Sequence, residues 1–171
     1  MNRQEISAAL EDVFDQAIVF HGFARHMRDY DIYVYATADA RAGVRPEHLR
    51  YRFTHCVRAT ATTAVPASAW KESLDDRFVD YQRWLDDGAP DGYVWGVNWQ
   101  ALYPGFTLME ASADADRWTS QLGIPFHHVG VETNGHNLEL VFADLVVSRV
   151  EPGDAPFVVA EDGPDAKIPL P

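Results

Sequence analysis

Cysteine is almost missing. Cys56 is the only one in 171 residues, which excludes an intrachain disulfide framework and every multi-cysteine metal module. No apolar run approaches the roughly 20 residues that cross a bilayer. Met1 to Val13 lacks the basic start and short apolar core of a signal peptide, so a soluble, cytoplasmic chain is expected. Basic side chains are scarce, 14 against 26 acidic ones, for a formal net charge of −12. Neutralising phosphates needs a basic face, so no nucleic-acid partner is expected. Core material is plentiful. With 47% apolar and 12% aromatic residues, a chain this long can bury roughly 68–70% of its unfolded surface.

Two periodicities organise the chain. Ile6, Leu10, Val13, Phe14, Ala17 and Ile18 recur at helical spacing, which predicts a helix over 3–20 with one dry stripe. From Tyr30 the period becomes two: Tyr30, Ile32, Val34 and Ala36 alternate with polar or aromatic neighbours. Leu49, Tyr51, Phe53, His55 and Val57 alternate with Arg50, Arg52, Thr54, Cys56 and Arg58, a long second strand. Pro66 opens a helical stretch over 66–85. Tyr93 to Trp99 reads as a strand, Pro104-Gly105 as a turn and 106–109 as a short strand. Ser112 starts a helix that Gly123 and Pro125 end near 122. Asn134-Gly135 between two alternating runs, 127–133 and 136–147, is a strong hairpin signal.

Leu49 to Val57 also aligns without a gap with Leu138 to Val146, each preceded by another strand. The fold class expected is therefore α+β: a single antiparallel or mixed sheet of five to seven strands, packed by three helical segments, with an internal hairpin duplication as an option. It would occupy residues 1–150. Residues 151–171 hold five of the ten prolines and a net charge of −4, which reads as an extended acidic tail.

Chemistry-bearing residues are few. The seven histidines show no metal-ligand spacing, so no metal is expected. No phosphate-binding glycine loop, dinucleotide fingerprint or nucleophile elbow occurs, so no cofactor and no catalytic residue is assigned. The hairpin register puts His128, Glu132, Asn137 and Glu139 on one face and carries Asp144 to the core side. His55 takes the same place after Phe53. Either a bulge re-aims both residues, or His55 and Asp144 meet as a buried polar pair. Arg50, Arg52 and Arg58 fall on one strand face. They could receive a carboxylate or phosphate, or be neutralised by Asp29 or Asp31 across the sheet or by helix carboxylates. Cys56 reads as a buried structural thiol.

Several separate segments carry a resemblance: His21-Gly22-Phe23, Met27 to Tyr30, Leu49 to Val57, Asp91 to Val97, Leu102 to Gly105 and Asn134 to Asn137. With these the chain resembles the bacterial YxiG-like proteins over roughly residues 10–150. The resemblance transfers no catalytic motif and no site residue. The family name comes from a bacterial locus that encodes a contact-dependent toxin and its neighbours, which implies an immunity-type role by association. The leading expectation is a non-catalytic binding protein, an immunity-type or regulatory partner of a basic protein, with homo-oligomers as an option. The alternative is a small enzyme or small-molecule binder built around His55 and Asp144.

Overall fold

The computed structural model describes residues 1–11, 13, 15–24, 26–36, 46–74, 76–92, 94 and 100–151. The elements, in chain order, are α1 (Arg3–Glu11), β1 (Ala17–Ala24), β2 (Asp29–Ala36), β3 (Glu47–Thr54), β4 (Arg58–Thr63), α2 (Ala67–Glu72), a 3₁₀ turn (Asp76–Val79) and α3 (Tyr81–Asp86). They continue with β5 (Gln100–Leu108), α4 (Ala113–Leu122), β6 (His127–Thr133), β7 (His136–Phe142) and β8 (Asp144–Val150). All eight strands join one antiparallel sheet in the order β4-β7-β6-β5-β1-β2-β3-β8. This corrects the expectation of five to seven strands. Apart from residue 94, the expected strand over 93–99 lies outside the described residues, as does the tail beyond 151.

The extra strands arise at positions where alternation alone suggested continuity. The expected long strand 49–57 ends at Thr54, because His55 has a left-handed φ of 49°. The chain then turns through Cys56 and Val57 and resumes as β4. Asp29, 1% exposed, holds this corner by accepting the His55 amide at 3.0 Å. The second run breaks at a bend at Ala143, without a left-handed residue, dividing 136–147 into β7 and β8. Residue 105 also differs from expectation. Gly105, at φ +110°, sits inside β5, where the register with β6 slips between Leu102 and Gly105. It is a bulge, not the end of a strand.

The first helix is shorter than 3–20. Asp15 is left-handed at φ 57°, and its amide donates to the Leu102 carbonyl at 2.9 Å while Leu102 donates back to Gln16 at 2.8 Å. The backbone is thus committed to the sheet before Ile18 and Val19, whose branched side chains favour a strand. Asn2 and Glu5 close the helix start reciprocally: the Glu5 amide donates to the Asn2 side chain and the Asn2 amide to the Glu5 carboxylate, as in a capping box. The expected helix over 66–85 consists of α2, the 3₁₀ turn and α3 in succession. Ser112 caps α4 by accepting the Ala115 amide, and Gly123 ends it at φ 69°.

Three-strand meanders, β1-β2-β3 and β5-β6-β7, form the two halves, and each is extended by the other's fourth strand. Among the described residues, Ala17↔Ala101 and Ile18↔Gln100 pair β1 with β5. The corners between β3 and β4 and between β7 and β8 cross, with Ala143 donating to Thr54 at 3.0 Å and Val57 to Val141 at 2.8 Å. The sheet folds over so that its halves enclose a common core. Phe53 lies edge-on to Phe142 at 4.8 Å and tilts against Phe106 at 6.2 Å. Ile6 and Leu10 of α1 join this cluster. Phe53, Phe142, Ile32, Leu140 and Val34 are fully buried, each removing on the order of 1.5–3 kcal/mol of apolar exposure.

A carboxylate-rimmed groove on the outer face

Because strand side chains alternate, the residues between the core positions of β4, β7 and β6 point away from the core. Register aligns Thr60 with Glu139 and Thr62 with Asn137, and Glu139 with Gly130. Gly130 has no side chain, so the floor is low there. Met109 and α4 stand to one side. The result is a depression of about 420 Å³ lined by Thr60, Thr62, Met109, Gly130, Glu132, Asn137 and Glu139. Glu132 is exposed and has no cationic partner among the described residues.

A polar cluster closes one end. Arg58 of β4 donates from one guanidinium nitrogen to Asp114 and from another to Glu139, and Arg117 also reaches Asp114 at 3.0 Å. His128, 8% exposed, has Nε2 3.3 Å from the Arg58 guanidinium and Nδ1 2.8 Å from Ser112 Oγ. Burial first, then the Arg58 charge, push the His128 pKa below 6.5, so the ring is neutral near pH 7. Guanidinium only donates, which makes Nε2 the acceptor and leaves Nδ1–H to donate to Ser112. Ser112 Oγ already accepts the Ala115 amide at 3.2 Å. The imidazole therefore does not draw the serine proton, and the contact reads as a helix cap held by a core histidine. The sequence register had placed His128 with Glu139; Ser112, Arg58 and Asp114 are brought there by α4 and the β3–β4 corner, which no local spacing reveals.

The sequence-stated candidates are dispersed. His55 is exposed and Asp144 has a side chain 47% exposed, so the two do not form the buried pair. Their backbones are neighbours, since Asp144 pairs with Thr54, but no hydrogen bond or ion pair joins them. The Asp144 carboxylate accepts the Met1 ammonium and the Leu145 amide. Burial opposes ionisation there, yet these donors hold its pKa below 3.8. Leu145 takes the inward place, 1% exposed. Arg52 is consumed by Asp31 in a two-point bridge, 2.7 Å on each arm. Arg50 lies on the same face of β3, whereas the corner at His55 carries Arg58 to the other half. Cys56 is buried, donates to the Arg58 carbonyl, and burial pushes its thiol up to about 12. A further pair went unnoticed in sequence: Tyr30 OH lies 2.7 Å from His21 Nδ1, with Tyr30 pushed to about 12 by burial.

No metal-ligating cluster occurs among the described residues, and no helix there is long and apolar enough to cross a membrane. Fold and groove together define an antiparallel β protein whose halves exchange strands and whose outer face offers a carboxylate-rimmed cleft. The chain belongs to the YxiG-like protein family, whose model matches residues 2–160. Comparison with curated proteins finds no match.

Proposed function

We propose that this chain is a non-catalytic binding protein of immunity or regulatory type, working in the cytoplasm, that receives a basic protein in the groove over β4, β7 and β6. The observation that carries this reading is the rim. Glu132 is unpaired among the described residues and Glu139 is exposed, both beside a depression of about 420 Å³. A lysine or arginine entering between them meets carboxylates at the rim and threonine hydroxyls on the floor, while Met109 can cover an aliphatic stem. A net charge of −12 adds long-range steering toward a basic surface, a rate effect that salt weakens.

Native mass spectrometry of the tagged full chain from lysate, beside its Glu132→Lys variant, tests the reading. The wild type is expected to retain a basic protein that the variant releases. If both retain the same proteins, or the wild type retains none, the reading fails.

A further inference from the structure

β4 ends the sheet. It lies at one margin of the strand order and pairs with β7 alone among the described residues. An edge strand presents a row of unpaired N–H and C=O groups, and folds usually blunt it with charge, proline or a covering element. β4 has little of this. It reads Arg-Ala-Thr-Ala-Thr-Thr, with its one charge at the start, and Thr60, Ala61, Thr62 and Thr63 are all exposed. The opposite margin, β8, carries Asp144 at its start and Arg149 near its end.

The pairing with β7 fixes which groups are free. Ala64 donates to the Gly135 carbonyl at 2.8 Å, in step with the β4–β7 register. Antiparallel ladders bond at every second residue, so Thr60 and Thr62 turn their backbone groups to β7. Ala59, Ala61 and Thr63 turn theirs to the free margin, where none bonds to a described residue. Side chains sort by the same alternation. Thr60 and Thr62 line the groove with Glu132 and Glu139. Ala59 packs on the core, and Ala61, opposite Leu138, lies on that same side.

A strand laid beside β4 continues both faces. Its groove-side residues sit about two strand spacings, roughly 9.6 Å, from β7, a gap that a lysine or arginine and the Glu139 side chain span together. Glu139 stays 51% exposed although Arg58 reaches it. On the other side the small alanines leave room for apolar side chains. A second copy suits this edge less well. Two-fold pairing of β4 with itself keeps each face on its own side, so it sets two carboxylate rims together between chains of charge −12 each, and like charges repel.

We propose that the basic partner enters as an extended strand added to the free edge of β4, with lysine or arginine at every second position over the groove and apolar residues between them. The alternation rests on the groove receiving a basic partner; the free edge does not.

The test titrates the full chain with a peptide of about eight residues in which lysine and valine alternate, following amide exchange by NMR. The Ala59, Ala61 and Thr63 amides should become protected. Two further peptides carry N-methyl groups on every lysine or on every valine. Methylation removes amide donors and keeps the charge, and only one of the two sets faces β4. One peptide should therefore bind about tenfold or more weakly than the other. Ala61→Pro removes an outward N–H without touching a β7 bond and should weaken the unmodified peptide by a similar factor; if it does not fold, the methylated pair decides. Unchanged exchange at the three amides, or equal binding of the methylated peptides, overturns strand addition. The groove reading survives that result if Glu132→Gln with Glu139→Gln still weakens the unmodified peptide. Protection of the three amides that is undiminished in this double variant supports strand addition and removes the groove reading. No binding of the peptide overturns both. A dimer whose β4 amides are protected without peptide assigns the edge to a second copy and overturns the proposal.

Discussion

Buried charge decides much at the residue scale. Asp31 is fully buried and holds Arg52, itself 11% exposed, through two 2.7 Å bonds. Asp31→Asn would leave a nearly buried guanidinium short of its counter-charge, and should cost about 3 kcal/mol in urea unfolding. The paired replacement Asp31→Leu with Arg52→Met should recover most of that, because removing both partners removes the desolvation penalty as well. This bridge was legible in the sequence as a cross-strand neutralisation. The placing of His55 and Asp144 was not. Alternation assumes an unbroken strand; the left-handed residue at 55 turns the first run over, and the bend at Ala143 turns the second. Leu145 then takes the core side and Asp144 faces the amino terminus. At the centre of the core, Phe53→Ala should cost roughly 3–5 kcal/mol, since Phe106 and Phe142 cannot both close on the vacancy.

Among the elements, legibility followed the strength of the local signal. Ser112, Gly123 and Pro125 are chemically unambiguous punctuation, and α4 lies where they placed it. The register of the 127–142 hairpin also matches, with Val131 opposite Leu138 and Val129 opposite Leu140. Its turn is held differently from the left-handed kind that Asn-Gly suggests. Asn134 and Gly135 have no left-handed φ; Thr133 Oγ1 accepts the amides of Gly135 and His136, at 3.0 and 2.9 Å. The end of α1 and the corner before β4 depend on partners far along the chain, Leu102 and Asp29, which local pattern does not contain. Ser112→Ala removes the α4 cap and the His128 contact, and a loss of about 1 kcal/mol in thermal or chemical unfolding is expected. Gly92, after α3, has φ +148°, and a Cβ there would lie 2.5 Å from the buried Phe78 ring. Gly92→Ala should therefore destabilise by about 1–3 kcal/mol, whereas Gly88→Ala, with open space around it, should lose less.

The whole molecule couples its halves through exchanged strands, so unfolding is expected as one transition. Its pH dependence follows from three histidines. Burial lowers the pKa of His21, His127 and His128 below 6.5. The unfolded chain then binds more protons between the folded values and 6.5. Stability is full above about pH 6.5 and declines as pH falls through that window. A melting temperature that rose on acidification from about pH 7.5 to 5 would contradict this. Individual segments, α4 and the 127–142 hairpin, were legible because apolar periodicity and turn chemistry are local. The strand count, the crossing of β3–β4 with β7–β8, and the groove were not, because each is made by pairing between distant segments.

The face of β4, β7 and β6 is the docking surface we propose for a basic partner. Amide chemical-shift mapping of the labelled chain during titration with a short oligolysine peptide tests it most directly. Shifts should concentrate at Thr60, Thr62, Glu132, Asn137 and Glu139, and weaken in Glu132→Lys and with added salt. Shifts spread evenly over the acidic surface, or centred on the exposed Leu74, Val79 and Tyr81, would contradict it.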